Sequence, residues 1–388
     1  MKKGYILLAV IVIILFLIIV LKPKPAEIQN YQVIDHPYDR IILSGDDANK
    51  GFFDPSVEYK DENTGYLVYS SLEQKPENIQ FFNIEFIHTS LAKSRDNGKT
   101  WTYVKRLTES TSDSIESPYF AKLLGQDSDT IEGEWHNEVP VLVYDPDDSG
   151  KQWKLFWHKY FSKDMPNGEE RPRILDHSWI MLKEADSPEN LDKAEEIKLF
   201  STSLSPGARY NFEEATGLPT AIHNAYTEPG AVYWNGKIYV SLSYFRNDEH
   251  TLILVSSSDH GKTWNYVGVI LDGKDGFGDY KNFWGAGLAE EQGRLFLLAP
   301  PIQKKKDGYL GTYVFEFEDI DQARLKRDND GKLIPYKYFK RSLPGNINSG
   351  QADYHKYNTY GGLIMPQADL DSNPRIAQLW STKENIIG

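Results

Sequence analysis

The sequence predicts an all-β chain, a β-propeller most simply of five blades, following one N-terminal transmembrane helix. Three observations predict it. Beyond Tyr31 there is almost no helical periodicity; short runs of Val, Ile, Tyr and Phe are broken by Gly, Asn and Asp turns. A unit of apolar strand, polar turn and second strand recurs five times. Tyr5 to Leu21, YILLAVIVIILFLIIVL, carries no charge and no helix breaker, and about 17 apolar residues is the lower limit for crossing the hydrocarbon core as a helix.

The chain order follows from these observations. Lys2 and Lys3 precede the apolar run, and Lys22, Pro23, Lys24 and Pro25 follow it. No small-residue cleavage site stands just after Leu21, so the expectation is an uncleaved signal-anchor over residues 1–24. A short tail inside and a large domain outside the cytoplasm is the arrangement expected of such an anchor. Residues 25–31 are a polar linker, and 32–388 form the propeller.

Within the propeller the clearest units are FFDPSVEYKDENTGYLVYSS from Phe52, NEVPVLVYDPDDSGKQWKLFWH from Asn137 and TEPGAVYWNGKIYVSLSYF from Thr227. Two weaker ones are FWGAGLAEEQGRLFLLAP from Phe283 and TYGGLIMPQADLDSNPRIAQLWST from Thr359. The first three are each followed by a third and a fourth strand, and the fourth unit by the third strand TYVFEFED. Two hairpins per unit are marginal alone, but radially packed sheets bury both faces and leave only short edges. The fifth unit runs out of chain, and QVIDHPYDRIIL, from Gln32, is expected to supply its outer strand. Six blades follow instead if Thr108 to Trp135 contains another.

Composition narrows the function. A net charge of −13 with no basic stripe argues against nucleic acid. The absence of cysteine excludes disulfides, thiolate metal sites and a thiol nucleophile. Aromatic residues make up 13% of the chain, which suits both sheet packing and stacking on sugar faces.

Two segments match S-x-D-x-G-x-T-W: SRDNGKTW at 94–101 and SSDHGKTW at 257–264. The chemistry is that of a turn. Asp96 and Asp259 are placed to accept backbone N–H groups, Gly98 and Gly261 to take positive φ, and Trp101 and Trp264 to pack between sheets. With these boxes the chain resembles the sialidase superfamily of Asp-box propellers.

Three units open on a carboxylate: Asp54 in FDPSV, Glu138 in NEVPV and Glu228 in TEPGAV. Glycoside hydrolysis needs one carboxylic acid to protonate the leaving oxygen and one carboxylate as base or nucleophile. The arrangement also resembles the five-bladed arabinanase-like glycosidases. That resemblance implies Asp54 as base, Glu138 as the group that orients and tunes, and Glu228 as acid. Glu138 departs from it in type and lies one residue early relative to the aligned Pro. The sialidase comparison implies a different set: a Tyr nucleophile, Tyr360 or Tyr357, and arginines that clamp a carboxylate. Arg246, Arg294, Arg40 and Arg341 are the candidates for that clamp, although Phe53 stands where its first arginine is normally found.

His136, His158, His223 and His355 lie near presumed inner-strand starts, without metal-binding spacing. No cofactor is expected. Structural calcium is a candidate at acid-rich runs such as DPDDSG, Asp145 to Gly150, where a plain hairpin turn is the commoner explanation. The expectation is a membrane-anchored glycosidase acting on glycans outside the cytoplasm. The alternative is a non-catalytic propeller that binds a glycan or a protein.

Overall fold

The computed structural model describes residues 32–34, 39–46, 51–61, 63–73, 86–98, 100–163, 173–217, 225–246, 249–272, 275, 280–283, 287–303, 306–309, 311–340, 353–354, 363–368 and 377–381. The apolar run 5–21 lies outside them. Among the described residues no helix is long and apolar enough to cross a membrane.

The chain is an all-β propeller. Blade I consists of Gly51–Tyr59, Gly65–Glu73, Phe86–Ser94 and Thr100–Thr108. Blade II consists of Thr130–Tyr144, Trp153–Lys163, Arg173–Ala185 and Ile197–Ser201. Blade III consists of Ala225–Trp234, Lys237–Arg246, Glu249–Ser257 and Asn265–Leu271, and blade IV of Gly287–Glu291, Arg294–Ala299, Gly311–Asp319 and Pro335–Lys340. Within each blade the four strands pair antiparallel in chain order. The first strands of successive blades lie side by side.

Alternating side chains explain the stacking. On one face of blade II, Trp153, Leu155, Trp157, Trp179 and Met181 pack against Val68, Leu91 and Leu107 of blade I. On the other face, Phe156, Ile180 and Leu182 pack against Ile238, Val240, Leu242 and Ile253 of blade III. Each interior strand is thus apolar on both faces, as a sheet buried between two sheets must be.

The structure corrects the blade count to four. The unit from Thr359 does not stand as a separate blade. Its strands Leu363–Ala368 and Ala377–Ser381 pair with each other, and the second pairs with Asp39–Ser44 through residues 39–41. Residues 42–44 of that N-terminal strand then run parallel to blade I at Thr100–Thr102. One bridging strand thereby merges the terminal strands with blade I into a single eight-stranded sheet. The hidden sixth blade is also absent from its expected place. Ser112–Glu116 folds back on the long first strand of blade II, and Pro118–Leu123 is a short helix.

The two S-x-D-x-G-x-T-W segments fold alike. Asp96 Oδ1 accepts the Thr100 N–H at 3.0 Å, and Asp259 Oδ1 accepts the Thr263 N–H at 2.8 Å. Ser94 and Ser257 each accept the glycine N–H at 2.8 Å, with φ +78° at Gly98 and +86° at Gly261. Trp264 packs edge-on against Phe156 and Phe200 of blade II. Trp101 instead packs on Tyr59 of its own blade and beside Leu43 of the bridging strand.

DPDDSG is a hairpin turn. Asp145 Oδ2 bonds His260 Nδ1 at 2.9 Å, Asp147 accepts the Tyr233 hydroxyl, and Asp148 Oδ2 accepts Lys154 Nζ at 2.7 Å. Its carboxylates are engaged by protein groups, which fits a turn rather than the calcium alternative. Among the described residues no group of three or more His, Asp or Glu is placed to hold a metal ion.

Candidate active site

Blades I, II and III share one irregularity at one level. Pairing of the first two strands skips from Phe53↔Ser70 to Ser56↔Val68, from Glu138↔His158 to Val141↔Phe156, and from Thr227↔Ser243 to Gly230↔Ser241. Each skip is a bulge of two residues, the second of them a proline that has no N–H to give the ladder: Pro55, Pro140 and Pro229. The residue before each proline has positive φ: +49° at Asp54, +52° at Val139 and +53° at Glu228. Such a conformation costs on the order of 1–3 kcal/mol in a non-glycine residue. It is least tolerable for β-branched Val139. Repetition of this cost at one level of three blades points to a constraint on where these side chains sit.

The bulges make Asp54 and Glu228 equivalent, one on each side of blade II. A serine supports each of them from the second strand: Ser70 Oγ donates to Asp54 Oδ2 at 3.4 Å, and Ser243 Oγ to Glu228 Oε2 at 3.4 Å. Ser70 Oγ also accepts the Val139 N–H at 3.0 Å, which ties blade I to the bulge of blade II. Glu138 is not the third member of this set. Val139 occupies the equivalent position, and Glu138 sits one residue earlier, in register with His158.

Glu138 is the centre of a different cluster. Arg173 Nη2 donates to Glu138 Oε1 at 3.0 Å, and His158 Nδ1 lies 3.8 Å from the same oxygen. The Glu138 side chain is 15% exposed. Burial pushes its pKa up, but Arg173 and His158 overcome that and hold it at about 2. Around the Tyr160 ring stand His136, stacked at 5.1 Å, His158 at 4.7 Å, and the Arg173 guanidinium, 4.4 Å from the ring centre. Burial, then the charge of Glu138, pushes the Tyr160 hydroxyl above its ordinary range, and the Asp54 carboxylate adds to the push. Tyr160 is therefore within electrostatic reach of blade I as well as blade II. His158 Nε2 is hydrogen-bonded to Ser178 Oγ at 2.9 Å, and His136 Nε2 to Ser162 Oγ at 2.6 Å.

Nothing in the sequence signalled that Arg173 and Tyr160 would join the cluster around Glu138. Their place follows from cross-strand register: Tyr160 opposes His136 on the first strand and Ser178 on the third, and Arg173 opposes Ser162. The alternation of Glu134, His136 and Glu138 opposite Ser162, Tyr160 and His158 was the available signal, since period two puts all six on one face.

Of the clamp candidates, Arg294 does not join these groups. It begins the second strand of blade IV, at the hairpin turn, whereas Asp54 and Glu228 lie toward the opposite ends of their hairpins. It is committed to Glu316, with Nε 3.0 Å from Oε1 and Nη2 bonded to Oε2. Arg40 lies in the bridging strand opposite Trp380, and Arg246 ends the second strand of blade III opposite Glu249; both side chains lie outside the described residues. Tyr357, Tyr360, Arg341, His223 and His355 also lie outside them.

Burial fixes the pH response. It lowers the pKa of His158, and that of His88 to about 4, Arg106 adding to the effect on His88 and Glu73 opposing it. The unfolded histidines titrate near pH 6.5 and so bind protons before the folded ones do. Their contribution to stability is full above about pH 6.5 and is lost as pH falls through the folded pKa values. The melting temperature is accordingly expected to fall between about pH 6.5 and 4. His88→Gln, whose amide oxygen keeps an acceptor for the Ser110 N–H now bonded to His88 Nδ1, should make the fall shallower. An equally steep fall in the variant would contradict the assignment.

No protein-family model matches the sequence, and no curated protein matches it. Solved structures do match. A structure from the GH130 family of mannoside phosphorylases, which contains glycoside hydrolases that target β-1,2 mannosidic linkages in Candida mannan, is 10% identical with a TM-score of 0.50, covering 90% of this chain and 96% of that one. A family 117 glycoside hydrolase from the marine bacterium Zobellia galactanivorans is 14% identical with a TM-score of 0.48, covering 89% of each chain. An arabinanase of Bacillus subtilis is 12% identical with a TM-score of 0.45, covering 86% of this chain and 94% of that one. At these identities the likeness is one of fold.

Proposed function

We propose that the chain is a glycoside hydrolase whose reacting groups are Asp54, as base or nucleophile, and Glu228, as acid. The observation that carries this reading is the repeated bulge, which spends backbone strain to set two carboxylates at one level on either side of blade II. In the reaction Glu228 gives its proton to the leaving oxygen while Asp54 activates water or attacks the sugar carbon directly. Glu138 stays ionised, but Arg173 answers its charge, so it has little field left to raise the acid's pKa. Its role is to hold Arg173 and Tyr160 as one wall of the site.

A neutral sugar fits this site better than a sialoside. Phe53 occupies the clamp's first position, Arg294 is committed to Glu316, and Arg173 is engaged by Glu138. A tether at residues 5–21, holding the propeller outside the cytoplasm, belongs to the same reading and is supported by the apolar run alone. The second reading is a non-catalytic glycan-binding propeller. What favours it is Val139, an apolar residue where the arabinanase-like pattern has an acid.

A panel of chromogenic glycosides that includes an arabinofuranoside and a sialoside tests the proposal. Release from a neutral glycoside, with none from the sialoside, is the expected result. No release from any member would favour the binding reading.

A further inference from the structure

Blade II carries positive groups that the proposed chemistry does not use. They lie on the sheet face that packs toward blade I, opposite the face of Glu138 and Tyr160, because Lys159 alternates with Tyr160 and shares the face of Trp157. Trp135 and Trp179 stand side by side there, with ring centroids 5.8 Å apart and planes 33° from parallel. Lys159 Nζ is 5.8 Å from the Trp135 ring centre, and Lys198 Nζ lies 3.6 Å over Trp179. His177 is 5.8 Å from both indoles. Trp179 is buried beneath Lys198, whereas Trp135 is only half-buried.

Lys159 and Lys183 share one carboxylate, Glu196, at 2.8 and 3.4 Å. Among the described residues no carboxylate pairs with Lys198. Three other acids of this region are bonded elsewhere: Asp192 pairs with Lys105 at 3.0 Å, while Asp113 accepts the Trp135 indole N–H at 2.9 Å and Asp176 bonds His177 at 2.8 Å and Ser117 at 2.7 Å, both keeping their charge. Burial, and then the charge of Lys159, lowers the pKa of Lys198. In a chain of net charge −13, this exposed lysine is held beside another lysine and against an indole, where an anion would be stabilised.

We infer that Trp135, Lys159 and Lys198 form a second saccharide site, which takes a carboxylate-bearing sugar. The two ammonium groups hold the carboxylate, and the half-buried indole of Trp135 packs on the ring. The choice of a sugar as ligand rests on the glycan reading above. A polymer with neutral and acidic units would then present the neutral unit to Asp54 and Glu228 and the acidic one here.

The test is calorimetric titration of the full chain carrying Asp54→Asn, with a galacturonate trimer, a galactose trimer and sodium phosphate as probes. The acidic trimer should bind at least about tenfold more tightly than the neutral one. Lys198→Met and Trp135→Leu should each weaken it by about fivefold or more, the order expected of a desolvated charge or a stacked ring. Unchanged melting temperatures in these variants show that the loss is local; if either fails to fold, Lys159→Gln gives the same readout. Equal affinity for the two trimers, or no effect of the substitutions, would overturn the inference. So would phosphate displacing the acidic trimer at equal concentration, since a bare anion would then suffice. If wild type cleaves no glycoside yet this binding holds, the hydrolase reading fails and the second site stands. Cleavage by wild type without this binding leaves the hydrolase reading intact and removes the second site.

Discussion

Asn in place of Asp54, or Gln in place of Glu228, is expected to lower glycoside release by about 10²–10⁴-fold, the usual contribution of a positioned acid or base. Neither substitution should disturb the fold. Asn tolerates the left-handed conformation that position 54 requires, and its amide can still accept the Ser70 hydroxyl. Gln at position 228 keeps the length of the native side chain and an acceptor for Ser243. The pair separates the two roles. With a glycoside whose leaving group departs without protonation, the Glu228 variant should recover much of its rate, whereas the Asp54 variant should not. Full activity in both variants would end the assignment.

The largest effect on stability is expected from Trp101→Ala. Trp101 is fully buried, meets Tyr59 edge-on at 6.3 Å, and pairs in register with Leu43 of the bridging strand. Emptying such a site costs about 3–5 kcal/mol, through lost transfer energy and the cavity left behind. The consequence should reach beyond the blade. Asp39–Ser44 holds the terminal strands to blade I, so loosening its seat should unzip that part of the eight-stranded sheet. Urea unfolding measures the loss, and a change below about 1 kcal/mol would mean that the indole does not anchor the strand.

Much of this architecture was legible because each blade repeats its own chemistry. The third strands expected after the first three units form, over Phe86–Ser94, Arg173–Ala185 and Glu249–Ser257, as short apolar runs bounded by turns require. The boxes closed as turns because Ser, Asp and Gly at fixed offsets have one local way to satisfy the backbone. The count of blades was not legible. Whether a terminal hairpin stands alone or joins a neighbour depends on one strand, Asp39–Ser44, pairing on both edges, and no local signal encodes that. The proposed reacting pair, Asp54 and Glu228, shares an X-Pro motif that the sequence displays. The same motif marked Val139 rather than Glu138 in blade II, and the missing acid is explained by that one-residue offset. Arg173 was invisible because its partner is reached across two strands. Arg294, beside a Gly turn, stands at the hairpin end of its blade, not at the end that carries the proposed carboxylates.

The central claim is that blades I and III present their bulged carboxylates to one cavity. A crystal structure of the Asp54→Asn variant soaked with a cleavable neutral oligosaccharide tests it most directly. The expected result is a sugar ring touched by both the amide at position 54 and the Glu228 carboxyl, about 5–10 Å apart, with the shorter end of that span meaning retention and the longer inversion. Side chains directed into separate spaces, or a sugar bound without touching either, would contradict it.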